Sequence, residues 1–204
     1  MKETGIEKDV KEAAMRVFIS KGYESTSMSD IARTAGIGRT ALHYYYRTKQ
    51  MIFDAVICDF ADLLLPNIAD IANREGTIID KIPDIVNAYY TLLKENPAVP
   101  LFIINELNRD ASCLVFALTK DSNRIQPIIE LKRQLEEQVE NGILCKRETA
   151  DILSTFLSIV VLPFTIRKPM MSILGDSTDL MERKKSDAIE ILTTYMTPYK
   201  VEEI

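Results

Sequence analysis

Residues 26–53 read TSMSDIARTAGIGRTALHYYYRTKQMIF, and their spacing is that of two short helices joined by a tight turn. Ser25, Thr26 and Ser27 offer hydroxyl caps for the first helix, and Asp30, three residues after Ser27, completes an approximate capping box. Ile31 and Ala32 sit on that helix, Gly36 marks the turn, Ile37 follows it, and Leu42 lies on the second helix, about Arg39 to Tyr45. Each has a mechanical reason. Ala32 is small enough to let two helices cross closely, Gly36 accommodates a positive φ, and Ile31, Ile37 and Leu42 lock the pair together. What then points outward from the second helix is Arg39, Thr40, His43 and the tyrosines, donors and aromatic hydroxyls without a carboxylate. Such a surface fits the major groove of DNA.

The stretch resembles the N-terminal DNA-binding domain of the tetracycline-repressor (TetR) family of bacterial transcription regulators, over about residues 8 to 60. The resemblance implies that Ser27 and Ser29 start the helix whose N-terminus meets phosphate. It places Arg39, Thr40 and His43 where the recognition helix reaches base edges and backbone, and Tyr44 and Tyr45 in an aromatic run that contacts phosphates. Lys49 matches the lysine opening the fourth helix, which pairs with a phosphate. Tyr46 and Phe53 match buried aromatic positions and are assigned to packing. Gly38, His43 and Gln50 depart from the residues most common in the family, where Ser, Tyr and an acidic residue stand. They leave open an alternative of another class: a helical small-molecule binding or interaction protein with a vestigial DNA-reading head.

The rest of the chain is read outward from this motif. A first helix runs from about Gly5 to Ser20, with Val10, Ala13, Ala14, Val17 and Phe18 as its apolar stripe and Gly22 as its stop. Thr48 caps a fourth helix reaching about Leu65, ahead of Pro66. Long helical patterns follow: Thr77 to Lys94, Pro100 to Arg109, Ser112 to Thr119, Pro127 to Asn141, Glu148 to Pro163 or Ile173, and Ser177 to Tyr195. No sustained period-two alternation appears, so the fold class is all-α, with about nine helices. The expected division is a helix-turn-helix domain over residues 1–50, a linking helix over about 48–65, and a helical ligand-binding and dimerisation domain over 51–204.

Charge separates the same two parts. The chain holds 25 Lys+Arg and 30 Asp+Glu, a net of 25 − 30 = −5. Its first fifty residues hold nine and six, a net of +3, which leaves −8 on the remainder. A cationic head on an anionic body confines DNA contact to one end and makes non-specific affinity modest and salt-sensitive. Three cysteines at wide spacing, Cys58, Cys113 and Cys145, indicate neither a disulfide framework nor a metal site. The charged start lacks a signal-peptide core, so a cytoplasmic location is expected. Ile152 to Ile166 is too short for a bilayer and is read as a helix buried in protein on every side.

The body carries weaker signals. A single helix-turn-helix makes few base contacts, so a homodimer reading a palindromic double-stranded operator is expected. Ile152, Phe156, Ile159, Val160, Ile189 and Leu192 are the candidate interface, paired across a twofold axis as a four-helix bundle. For a small-molecule effector, Tyr89, Phe102, Asn105, Glu106, Arg109, Phe116 and Phe156 are the candidate lining, with Tyr90 beside them. Glu106 and Arg109 read equally as an i, i+3 pair on the surface, which is the reading favoured for them. The only histidine lies inside the recognition helix, and no cysteine has a partner at catalytic or metal spacing. No enzyme activity, cofactor or metal is therefore expected. The reading as a whole is a ligand-responsive DNA-binding regulator, a repressor by preference.

Overall fold

A computed structural model describes residues 5–175 and 179–198 of the chain. Among the described residues the regular structure is helical: α1 (Gly5–Ser25), α2 (Met28–Ala35), α3 (Arg39–Tyr45), α4 (Lys49–Ala72), α5 (Ile78–Glu95), α6 (Val99–Arg109), α7 (Ser112–Thr119) and α8 (Ser122–Glu140). After them come α9 (Thr149–Phe156), a π-helical turn (Leu157–Val161), α10 (Leu162–Thr165), α11 (Arg167–Leu174) and α12 (Leu180–Met196). The all-α class holds. The helical segments exceed the expected nine because the stretch after Glu148 is not one helix. A π-turn interrupts it, and the chain bends by 59° between Thr165 and Arg167. The expected start of the last helix, Ser177, lies outside the described residues.

Contacts divide the chain into two compact units. One is Met1–Leu63 with Leu101–Arg124, and the other is Leu64–Pro100 with Ile125–Ile204.

In the first unit the expected apolar stripe of α1 is buried from Val10 to Phe18, together with Ile31, Ala32, Leu42, Tyr46, Ile52 and Phe53. Gly22 breaks α1 at φ 74°, ψ 165°, and one further turn carries the helix to Ser25. Aromatic edges continue the packing: Phe53 meets Phe18 at 5.3 Å, Tyr23 at 4.7 Å and Phe102 of α6 at 6.3 Å. Two ion pairs tie the periphery, Lys11 to Asp59 at 2.7 Å and Arg124 to Asp62 through two 2.7 Å hydrogen bonds.

The second unit is built on α5, which opens with a complete capping box between Thr77 and Asp80. Its inner face joins Val160 of the π-turn, Phe164 of α10 and Ala188, Leu192 and Met196 of α12 in one hydrophobic core. α4 does not stop ahead of Pro66 as expected but continues to Ala72, with Ile68, Ile71 and Ala72 buried. Burial of that apolar turn outweighs the backbone hydrogen bond a proline forfeits. Its last carbonyl, on Ala72, accepts from Lys81 Nζ at 3.0 Å and from Gln134 Nε2 at 2.9 Å, while Lys81 also donates to Gln134 Oε1 at 2.6 Å. Lys81 is 3% exposed, and burial lowers its pKa from the ordinary lysine value.

Candidate nucleic-acid interface

The geometry of α2, the turn and α3 follows from local chemistry. Ser27 caps α2: its Oγ accepts from Asp30 N–H at 3.1 Å, and Asp30 Oδ2 accepts from Ser27 N–H at 3.1 Å and from Ser27 Oγ–H at 2.6 Å. Asp30 Oδ1 accepts from Lys21 at 2.9 Å and from Arg33 at 2.5 Å. The Ser27 hydroxyl first, and Lys21 next, hold this carboxyl well below the usual range, so it stays ionised at the head of α2. Two cations neutralise it there, which leaves the helix N-terminus open to phosphate charge. At the other end Gly36, at φ 69° and ψ 23°, closes α2 in the left-handed conformation. Its N–H reaches Arg33 O at 3.2 Å, and Ile37 N–H reaches Ala32 O at 3.0 Å.

α3 then presents two surfaces. Leu42 faces inward and is fully buried, and Tyr46 behind it is 6% exposed. Arg39, Thr40 and Tyr44 are exposed, Tyr44 by 84%, while His43 and Tyr45 are half-buried. The rings of Tyr44 and Tyr45 meet edge to face at 5.3 Å. The packing roles assigned to Tyr46 and Phe53 hold. Ser27 and Ser29 are both exposed at the start of α2, so the candidates from α2 and α3 lie on the accessible side of one motif.

Lys49 is less free than its sequence position suggests. Its ammonium donates to the carbonyls of Tyr23 at 2.8 Å and Glu24 at 3.3 Å, where α1 ends, and stands 4.2 Å from the centre of the Tyr23 ring. Arg109 of α6 stacks against the same ring at 4.3 Å and lies 5.2 Å from Phe53. Glu106 accepts from Tyr23 N–H at 3.3 Å and from Arg109 Nε at 2.6 Å, and Tyr23 OH donates to Gln50 at 2.6 Å. Burial, the leading cause, raises the Tyr23 phenol above its ordinary value. Tyr23 is thus the hub on which α1, α4 and α6 are fastened, a role the sequence did not reveal. An aromatic residue just after a helix-stopping glycine was its only trace.

The surface reading is corrected by burial for Glu106, which is 4% exposed, while Arg109 stays at the surface with its side chain 26% exposed. The i, i+3 spacing is right, but Glu106 faces the end of α1 instead of solvent, and Arg109 stacks over it from outside.

Other candidates are dispersed. Phe102 is buried beside Phe53 and Phe60 in the first unit, where Asn105 and Phe116 are exposed. Tyr89 and Phe156 pack against each other at 5.1 Å in the second unit. Of the seven expected lining residues, Phe102, Asn105, Glu106, Arg109 and Phe116 belong to the first unit and Tyr89 and Phe156 to the second.

Two of the interface candidates are corrected as well. Val160 is fully buried and Leu192 is 5% exposed inside the core of the second unit, and Ile152, Phe156, Ile159 and Ile189 pack against that core. Nor is 152–166 buried on every side. Leu153, Leu157, Leu162 and Ile166 are 57%, 51%, 45% and 37% exposed, and Ile191 of α12 is 47% exposed. From 153 to 157, 162 and 166 this row steps by four, five and four residues. The middle step is one longer than an α-helical face allows, and the π-turn at Leu157–Val161 absorbs the extra residue. No single described helix is long and apolar enough to cross a membrane.

A locked helix-turn-helix with an outward set of donors and aromatic hydroxyls defines a DNA-binding transcriptional regulator. Residues 11–56 match the family model of bacterial regulatory proteins, tetR family. Among similar proteins is the HTH-type transcriptional repressor KstR2 of Mycobacterium tuberculosis, 25% identical over 149 residues, which span 73% of this chain and 74% of that one. The HTH-type transcriptional repressor ComR of Escherichia coli is 24% identical over 66% of this chain and 61% of its own. In fold, the chain resembles a solved tetR-family protein of Shewanella sp. PV-4, with TM-score 0.71 and 13% identity over 96% of this chain and 100% of that one. It also resembles the structure of KstR2 of Mycobacterium tuberculosis, with TM-score 0.69 and 16% identity over 97% and 98%.

Proposed function

We propose that the chain is a repressor that binds a palindromic operator as a homodimer, one α3 helix to each half-site, and that a small molecule bound in its body changes its grip. The observation that carries the DNA part is the outward surface of α3, where Arg39, Thr40 and Tyr44 are exposed beside a fully buried Leu42. In this reading Arg39 and Thr40 read base edges and His43 the edge or the backbone. Ser29, the free backbone N–H groups at the start of α2, Tyr44 and Tyr45 hold phosphates. Ser27 serves mainly as the cap. Lys49 spends two of its three donors on the end of α1 and keeps the third for a phosphate.

The dimer is supported by the row Leu153, Leu157, Leu162 and Ile166 with Ile191, large apolar side chains open to water on a bundle that already has its own core. It takes the place of Val160 and Leu192, which the core uses, next to the half-buried Ile152, Phe156, Ile159 and Ile189. Two such faces brought together by a twofold axis would place two heads on one duplex. The repressor relatives support the sign of regulation, and a bacterial cytoplasm is where such a protein meets its operator. The chain acts by binding rather than by catalysis.

The test is selection of random duplexes against the purified protein, followed by the same selection with Arg39→Ala. A recovered palindrome with two half-sites about one helical turn apart is expected, and its consensus should relax at specific positions in the variant. Absence of any enriched sequence would instead support a small-molecule binding protein with a vestigial head.

A further inference from the structure

Among the described residues of the first unit, lysines and arginines meet a carboxylate, a carbonyl or a ring. Lys11 meets Asp59, Lys21 and Arg33 meet Asp30, Arg124 meets Asp62, and Lys49 meets the carbonyl end of α1. Arg39 and Arg47 alone have no such partner among the described residues, and both are exposed. Carboxylates are not in short supply, since the chain has 30 acidic residues to 25 basic ones. Arg39 opens α3 and Arg47 follows its last residue by two, so the uncommitted charge of the head brackets the helix that carries its reading surface. Arg39 already has base edges to read, whereas Arg47 has no role in the reading above. Its backbone is fixed on both sides. Tyr46, 6% exposed, donates its N–H to Leu42 O at 2.9 Å, and Thr48 Oγ1 accepts from Met51 N–H at 3.2 Å where α4 begins. Tyr46 is extended, at φ −135° and ψ 111°, so the side chain after its buried ring points the opposite way, out of the head.

We propose that Arg47 grips a backbone phosphate of the bound duplex, beyond the end of α3 opposite to Arg39. The contact rests on the regulator reading above. Arg47 brings a guanidinium whose donors are not engaged by the described residues, and its planar fork matches two phosphate oxygens at once. Lys49, two residues on, has already given two donors to the end of α1. Because Arg47 meets charge and not a base edge, it adds grip at every sequence and releases one counterion on binding.

The experiment is fluorescence anisotropy of the full chain with two labelled duplexes, one recovered by the selection described above and one of unrelated sequence, over about 50–200 mM NaCl. Arg47→Gln should weaken binding to both about eightfold at about 0.1 M salt and flatten log affinity against log salt by about 0.9, the value of one phosphate contact. Arg47→Lys, which keeps the charge, should retain the wild-type slope. The urea midpoint of Arg47→Gln should match wild type, because the side chain has no partner within the described chain to lose. A wild-type slope in Arg47→Gln, a slope lost equally in Arg47→Lys, or an effect confined to one of the two duplexes would overturn the proposal. Wild type that binds neither duplex counts against the regulator reading and takes this contact with it. Wild type that binds while Arg47→Gln keeps its slope counts against Arg47 alone.

Discussion

Replacing Glu106 by alanine tests whether the Tyr23 hub holds the reading head together. Two interactions vanish at once: Tyr23 N–H loses its acceptor at 3.3 Å, and Arg109 loses a 2.6 Å charge-assisted hydrogen bond. Removing one partner of a fully buried ion pair costs about 3–5 kcal/mol. Arg109 retains access to water and a second carboxylate, Glu24, at 3.9 Å, so the cost falls at or just below the lower end of that range. A loss of about 2–3 kcal/mol is expected, and about 1–2 kcal/mol for Glu106→Gln, which keeps an acceptor but not the charge. Urea denaturation of the full-length proteins, followed by far-UV circular dichroism, reads this directly as a shift in midpoint at unchanged slope. An exposed i, i+3 pair would cost less than about 0.5 kcal/mol. A Glu106→Ala loss of that size would refute the hub and restore the surface reading.

Other expectations follow from single contacts. Lys49→Ala should cost about 1–2 kcal/mol of stability by uncapping α1, and should flatten the dependence of log affinity on log salt by about one unit. An unaltered slope would leave Lys49 a purely structural cap. Leu157→Glu should raise the dimer dissociation constant at least ~100-fold, because each of two symmetry-related leucines forfeits about 1.5 kcal/mol of burial. Sedimentation equilibrium checks it, and an unchanged constant would move the interface elsewhere. For Lys81, burial depresses the native pKa below the ordinary 10.5. Between that lowered value and 10.5 the unfolded chain holds more protons, so the lysine's contribution to stability rises with pH across the window. The stability of wild type relative to Lys81→Met should therefore grow between pH 7 and pH 10 in urea titrations. A constant difference would contradict the burial of the ammonium.

The reading head was largely legible because its determinants are local. A capping box is a matter of three residues, the turn needs one glycine at positive φ, and helical period alone decides that Leu42 points in while Arg39 and Thr40 point out. The body was less legible. Periodicity shows that α9 and α12 have apolar faces on more than one side, yet it cannot say which face the chain covers itself. The sequence reading chose Val160 and Leu192 for the partner, and packing used them for the core, leaving Leu153, Leu157 and Ile191 to solvent. The π-turn that aligns the exposed row has no signature in composition.

Glu106 and Arg109 mark the same boundary. Their spacing determines that they can pair, but whether the pair meets water or the carbonyl end of a helix more than eighty residues earlier is a matter of tertiary approach. The sequence by itself determined an all-helical chain with a cationic DNA-reading motif at one end. Only the tertiary structure decided which side chains hold that motif rigid, which apolar faces remain uncovered, and which cations of the head are already spent on the fold. Secondary structure and local caps depend on neighbours in sequence, whereas burial and ion pairing depend on neighbours in space.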